Sequence, residues 1–137
     1  SFLKLDKVPS GERVVAQSTS RLLIDMMETV VIQGTGQAAA VPGYRVAGKT
    51  GTARKSELGG YSSERHNAIF AGLAPASNPR LVCVVLIEEP KGDSHYGGDV
   101  AAPVFAQVVS GALRLIDIAP DKLESGTDSL LTAAGAL

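Results

Sequence analysis

The sequence predicts an α+β fold in which an antiparallel sheet is flanked by helices. Residues 17–33 and 101–116 repeat apolar side chains at helical spacing. Between them, residues 44–54, 67–74 and 80–89 have the composition of strands. The turns that separate these strands are too short for the crossovers of a parallel sheet, so the strands are predicted to be antiparallel neighbours.

The first element in chain order is the helix over residues 17–33. Ahead of it, residues 14–15 are predicted to form a short strand piece. Ser18 or Ser20 is expected to cap the start of the helix, and Gly34 is expected to end it.

The strands and the second helix follow. Residues 44–54 are rich in Gly, Ala and Thr, which predicts a strand whose backbone closely approaches another segment. Residues 56–64 are predicted to form a polar loop. Residues 81–87 are almost continuously apolar, which predicts a strand buried on both faces. A Gly-rich loop over residues 90–98 leads to the second helix, which tolerates Pro103 in its first turn.

Composition narrows the possible classes of function. The chain has 137 residues and a formal net charge of −1, so it offers no basic surface for nucleic acid. Its longest apolar run is shorter than the roughly 18 residues that a membrane span needs. Cys83 is the one cysteine, which excludes an internal disulfide, and it is predicted to be a buried, inert thiol. Residues 1–120 are assigned to the folded part and residues 121–137 to a flexible C-terminal tail.

Residues 43–50, with the sequence Gly-Tyr-Arg-Val-Ala-Gly-Lys-Thr, formally match the phosphate-binding loop G-x-x-x-x-G-K-[ST]. Such a loop follows an apolar strand and opens a helix whose N-terminus faces the phosphate. Here Pro42 and several alanines precede the match, and Gly51 follows it directly. Nucleotide binding is therefore a remote alternative, which a helix beginning at Lys49 would revive.

The same residues contain Lys49-Thr50-Gly51, one of three signatures of serine penicillin-binding proteins and β-lactamases. The segments on either side of this tripeptide also match these proteins, and they occur in the same order along the chain. The matching segments are Met27 to Gly36, Val46 to Ala53, Phe70 to Pro75, Tyr96 to Gly98 and Ala102 to Phe105. The chain thus resembles the C-terminal part of a class B penicillin-binding protein transpeptidase domain, of the division-specific type.

The resemblance implies a partial penicillin-binding/serine β-lactamase-like transpeptidase fold over residues 1–120. It implies part of a peptidoglycan D,D-transpeptidase that cross-links stem peptides by serine acyl transfer and is acylated by β-lactams. The implied partners are the D-Ala-D-Ala stem peptide and β-lactam antibiotics, with cell-division proteins as further candidates, and no cofactor is implied. The implied location is the periplasmic face of the bacterial inner membrane, with an anchor outside this chain.

The resemblance also implies roles for four residues. Lys49 places a cation beside the nucleophile and assists proton transfer. The hydroxyl of Thr50 binds the carboxylate of the substrate or β-lactam. Gly51 leaves room for the acyl group along the strand, and the backbone N–H of Thr52 is an oxyanion donor.

Four further residues are candidates for ligand binding, each with surface packing as the alternative. Arg54 would add positive potential near the carboxylate. His66 and Tyr61 would border the cleft, and Tyr96 would form an aromatic wall. No metal site is predicted, because His66 and His95 are distant in sequence and lack acidic partners at ligand spacing.

In the family that the chain resembles, the nucleophile lies on Ser-x-x-Lys and a further proton-transfer group on Ser-x-Asn, both N-terminal to Lys-Thr-Gly. Residues 20–23 lack the lysine and residues 18–20 lack the asparagine. Sequence analysis therefore finds no candidate for either motif and expects the remainder of the same protein to supply them. A β-lactamase or D,D-carboxypeptidase fragment and a non-catalytic penicillin-sensing module remain alternatives.

Overall fold

The structure is a computed structural model that describes residues 11–57 and 60–122, without the side chains of residues 56–64. Helix α1 (Gln17–Gln33) and a 3-10 turn (Gln37–Ala39) come first. Strands β1 (Ala47–Glu57), β2 (Gly60–Ala74) and β3 (Leu81–Glu88) follow, and then the short helix α2 (Gly97–Val100) and helix α3 (Ala102–Leu115).

The strands form a sheet in the order β1-β2-β3, and both neighbouring pairs are antiparallel. The predicted α+β arrangement is therefore confirmed. Lys49 lies inside β1, and the chain continues as a strand to Glu57 rather than opening a helix. The phosphate-loop alternative is wrong, because no helix N-terminus follows the motif to face a phosphate.

One face of the sheet is covered by α3. Phe70 of β2 pairs in register with Thr50 of β1 and Val85 of β3, so the three side chains share a face. On that face the ring of Phe70 packs against Phe105 of α3, with 4.8 Å between ring centroids. The same buried core contains Val31, Val41, Val46, Val109 and Leu113.

The prediction that β3 is buried on both faces is wrong. Its side chains alternate: Cys83 and Val85 pack against the core, whereas Val82, Val84 and Leu86 are 76%, 63% and 57% exposed. The physical reason is that α3 covers one face only, and no described segment covers the other face of β3. The thiol of Cys83, predicted to be buried, faces the core but is only partly buried.

Helix α1 has the predicted bounds, but its predicted cap is wrong. Its N-cap is Ala16, without a side-chain hydrogen bond, and Ser20 donates back to the Ala16 carbonyl within the first turn. Gly34 ends the helix as predicted and donates its N–H to the carbonyl of Val30. Residues 14–15 form no strand.

The predicted polar loop over residues 56–64 is also wrong in extent. After a register shift between Arg54 and Ser56, pairing resumes and continues to Glu57 and Gly60. The strands consequently extend into a hairpin, because the bulge lets the two chains pair beyond it.

Polar contacts fix the chain where it enters β1. The Arg45 guanidinium forms a two-point ion pair with Glu28 of α1 (2.8 and 2.6 Å), which raises the pKa of Arg45 above its ordinary value. Asp121 accepts hydrogen bonds from the Arg45 N–H and from the hydroxyl of Ser77. Asp121, the first residue of the predicted tail, is thus bound to the body of the domain, and residues 123–137 lie outside the described residues.

Among the described residues, no helix is both long and apolar enough to cross a membrane.

Candidate active site

The Lys-Thr-Gly motif lies on β1, an edge strand of the sheet in the described part of the chain. Successive side chains of a strand point to opposite faces, so Thr50 and Thr52 share the face of Phe70 while Lys49 points to the other. Lys49 is exposed, and its ammonium donates to the backbone carbonyl oxygen of Thr50, with 2.9 Å between the two atoms.

Thr50 and Thr52 line a cavity of about 280 Å³. Its other lining residues are Thr35, Tyr96, Gly97, Gly98 and Asp99. The hydroxyl oxygens of Thr35 and Thr50 are 2.9 Å apart and share a hydrogen bond. Thr52 accepts a hydrogen bond from the backbone N–H of Gly97 through its own hydroxyl oxygen, at 3.2 Å. The cavity therefore presents several hydroxyl groups around one space next to β1.

A close approach of the first residue of α2 to the sheet closes one side of this cavity. A Cβ atom on Gly97 would lie 2.1 Å from the carbonyl oxygen of Ile69 and 2.5 Å from that of Gly51, so only glycine fits. In the loop before α2, Ser94 donates to Asp99 (2.5 Å), and the N–H of Tyr96 donates to Ser94 (3.3 Å). These bonds hold Tyr96 at the mouth of the cavity.

Three rings contact one another in series beside the cavity, the first pair stacked and the second pair tilted. The ring centroids of His66 and His95 are 4.1 Å apart, and those of His95 and Tyr96 are 4.4 Å apart. The structure thus brings together two of the predicted binding residues, His66 and Tyr96, through a third residue. Arg54 is exposed and pairs in register with His66. The side chain of Tyr61 lies outside the described residues.

The contact between His66 and His95 could not be predicted, because the two residues are far apart in sequence. Even so, the described ranges contain no group of three or more His, Cys, Asp or Glu side chains that could hold a metal ion.

An ion-pair cluster is connected to these rings through the backbone of His66. Lys55 of β1 contacts Glu88 and, at 2.8 Å, Glu89. The N–H of Glu89 donates to the carbonyl oxygen of His66 at 2.9 Å, which connects the cluster to the stack. The hydrogen bond and charge of Lys55 lower the pKa of Glu89, and the same carboxylates raise the pKa of Lys55.

Sequence analysis missed three residues of this site. Thr35 lies in the Gly-Thr-Gly sequence of residues 34–36, but nothing in its spacing indicates that this turn contacts β1. His95 lies within the Gly-rich loop and Asp99 follows it, and no periodicity predicts the path of that loop. Their proximity to the motif is a tertiary property.

One expectation about motifs needs correction. Residues 1–4, Ser-Phe-Leu-Lys, have the Ser-x-x-Lys spacing that sequence analysis reported as unmatched. These residues lie outside the described part, and spacing alone gives them no catalytic role. That another segment supplies the nucleophile therefore stays a prediction.

Comparison with known proteins places this geometry in a family. The family model described as the penicillin-binding protein transpeptidase domain matches residues 2–110. The chain is 45% identical over 127 residues to peptidoglycan D,D-transpeptidase FtsI of Escherichia coli K12, covering 92% of this chain and 22% of that protein. It is 44% identical over 128 residues to the PenA protein of Neisseria flavescens, covering 93% of this chain and 32% of that protein.

A solved structure agrees with these relatives. The transpeptidase domain of Burkholderia pseudomallei penicillin-binding protein 3, in its apo form, matches with a TM-score of 0.78 and 44% identity, over 89% of this chain and 38% of that one. The chain thus spans a third or less of the length of these two curated relatives. Because the family model covers most of the chain and the fold agrees, the chain belongs to the family of penicillin-binding protein transpeptidase domains.

Proposed function

We propose that this chain forms the Lys-Thr-Gly wall of the active site of a class B peptidoglycan D,D-transpeptidase of the division type. The observation that carries the proposal is the arrangement on β1, where the hydroxyls of Thr50 and Thr52 line a cavity and the exposed Lys49 precedes them on the same strand. Serine acyl transfer on D-Ala-D-Ala needs an anchor for the carboxylate, a proton relay and an oxyanion hole, and these residues supply parts of all three.

Lys49 is the proposed cation of the proton relay. Its side chain is exposed on an edge strand, and its ammonium already turns towards the strand backbone at Thr50. A serine nucleophile placed opposite this strand would gain a nearby cation that stabilises its deprotonated form. The remainder of the same protein is proposed to supply that serine.

Thr50 is the proposed anchor for the carboxylate, and the N–H of Thr52 is the proposed oxyanion donor. The carbonyl of Thr50 accepts a hydrogen bond from the Lys49 ammonium, which we take to mark the side of β1 away from β2. In an antiparallel strand, residues two apart direct their N–H and C=O groups to the same side. The N–H of Thr52 is therefore inferred to point to the free edge of β1, where a substrate carbonyl would lie.

The stack of His66, His95 and Tyr96 is the proposed wall for the ligand side chain. It supplies flat, polarisable faces beside the cavity. Arg54 is proposed to add positive potential for the substrate carboxylate, and Tyr61 is proposed to border the cleft.

Peptide cross-linking is proposed in preference to β-lactam hydrolysis or carboxypeptidase action because E. coli FtsI is named as a D,D-transpeptidase. The proposed location is the periplasmic face of the inner membrane, and the proposed partners are stem peptides, β-lactams and cell-division proteins.

Labelling of the complete protein with a fluorescent penicillin tests the proposal. The label is expected to be covalent and to be displaced by unlabelled penicillin added first. A separate, unlabelled sample of the complete protein is given stem-peptide substrate, and cross-linked dimers are expected. Release of D-Ala without dimers would indicate a carboxypeptidase. Rapid loss of the label as hydrolysed β-lactam would indicate a β-lactamase. A stable label, without any reaction of the stem peptide, would indicate a sensing module. Absence of covalent labelling would contradict the proposal.

A further inference from the structure

The hydroxyl of Thr35 lies against the proposed carboxylate anchor. Its Oγ1 is 2.9 Å from Oγ1 of Thr50, and either hydroxyl can donate in this bond. Both residues line the same cavity. Thr35 lies in the turn that follows α1, and Thr50 lies on β1, so the bond joins two parts of the fold at the cavity.

The backbone around Thr35 is held on two sides. The N–H groups of Gly34 and Gly36 both donate to the carbonyl of Val30, which folds the turn tightly onto the end of α1. From the other side, a Cβ on Gly98 would lie 2.3 Å from the Thr35 carbonyl oxygen, so the short helix α2 packs directly on it. A hydroxyl mounted on a backbone held in this way has a fixed position relative to β1.

Proton counting assigns a direction to the bond when a ligand is present. A threonine hydroxyl has one proton to donate, and an ionised carboxylate can only accept. If Thr50 donates to a ligand carboxylate, its proton is no longer available to Thr35. The bond between the two hydroxyls is then made by the Thr35 proton.

We propose that Thr35 is a positioning residue whose hydroxyl donates to Thr50 and so directs the Thr50 proton at the ligand carboxylate. The inference rests on the proposed function, which supplies that carboxylate. Hydrogen bonds in such a chain polarise one another, so the bond from Thr35 strengthens the bond from Thr50. Thr35 therefore increases the acylation rate with ligands that carry the carboxylate and has little effect on the rate with ligands that lack it.

The test compares a penicillin with its carboxyl methyl ester in the complete protein. The measured quantity is the second-order acylation constant. Thr35→Val is expected to lower this constant about 5- to 10-fold for the penicillin, the value of one hydrogen bond, and to leave that for the ester within about twofold. Thr35→Ser, which keeps the hydroxyl, is expected to restore the wild-type ratio between the two ligands.

A double-mutant cycle adds a second readout. In a Thr50→Val background, Thr35→Val is expected to change the constant by no more than about twofold, because the partner hydroxyl is already gone. Thr29→Val is the matched control, since the Thr29 hydroxyl bonds the Asp25 carbonyl within α1. It is expected to leave the constants for both ligands unchanged.

The outcomes separate the two proposals. A wild-type protein that no penicillin acylates defeats the proposed function. A wild-type protein that is acylated, with a Thr35→Val variant of equal reactivity, defeats only the positioning role. Equal losses with penicillin and ester, or additive losses in the cycle, also overturn it. If thermal denaturation shows Thr35→Val to be unfolded, Thr35→Ala is judged by the same ratio of penicillin to ester.

Discussion

A Cβ atom on Gly48 would lie 2.5 Å from Cζ of Phe70, a ring that is fully buried beneath the strand carrying the Lys-Thr-Gly motif. Gly48→Ala should therefore force Phe70 or β1 to move. We expect a loss of about 1–3 kcal/mol in the free energy of unfolding, the usual cost of overpacking a core. We also expect slower acylation by penicillin, because Lys49 follows Gly48 directly. Denaturant unfolding and acylation kinetics of the complete protein measure the two effects.

Gly111→Ala is the matched control for this substitution. Gly111 lies within α3, and a Cβ there would have no atom within 4 Å. Alanine is preferred over glycine inside a helix, so we expect stabilisation of about 0.5–1 kcal/mol and unchanged acylation. A Gly48→Ala variant as stable as the Gly111→Ala variant would show that the space around Phe70 is not tight.

The exposed face of β3 should govern the solubility of this chain when it is expressed alone. Val82, Val84 and Leu86 form an apolar row on an edge strand, which favours association between copies. Val84→Lys is expected to shift the isolated chain towards monomer in analytical ultracentrifugation. Val14→Lys, which replaces another exposed valine outside the sheet, is the control and should have little effect.

In the complete protein, Val84→Lys should be unfavourable, because it should lower the free energy of unfolding. There we expect Val84→Lys to destabilise the fold by about 2 kcal/mol, because we expect sequence outside this chain to cover the apolar face of β3 and to bury the ammonium. A monomeric wild-type chain with a cooperative thermal transition would contradict this reasoning.

The ion-pair cluster around Glu89 predicts a dependence of stability on pH. Lys55 lowers the pKa of Glu89 below its ordinary value of 4.5. The contribution of the carboxylate is therefore present above pH 4.5 and is lost as the pH falls through the lowered pKa. Glu89→Gln should lower the Tm at pH 7, and the difference from wild type should close in acid. Glu12→Gln, at an exposed carboxyl ahead of α1, is the control; a Glu89→Gln gap that persists in acid would refute the assignment.

The local elements were predictable because their signals are local. The four-residue spacing of apolar side chains predicts α1, and Gly34 predicts its end. The short turns predict antiparallel strands, and the motif on β1 needs only the tripeptide and its flanks. By contrast, the burial of β3 could not be predicted, because a continuous apolar run does not say which face another segment covers.

The arrangement of residues in the site could not be predicted from the sequence, for a related reason. Thr35, Thr50 and Asp99 are brought together by the path of the chain after α1 and into α2, and Gly97 permits that path by its lack of a side chain. Such contacts depend on distances between elements, which spacing along the chain does not encode.

The central claim is that Lys49 belongs to the proton relay and Thr50 to carboxylate recognition. The most direct measurement is the second-order acylation constant of Lys49→Ala and Thr50→Ala in the complete protein with one penicillin, with Lys122→Ala as the control lysine. Loss of a proton-relay member should cost about 10²- to 10⁴-fold. Loss of one hydrogen bond to a charged group should cost about 10- to 150-fold. A Thr50→Ala variant that is the more damaged of the two, or a Lys49→Ala variant that is acylated normally, would contradict the account.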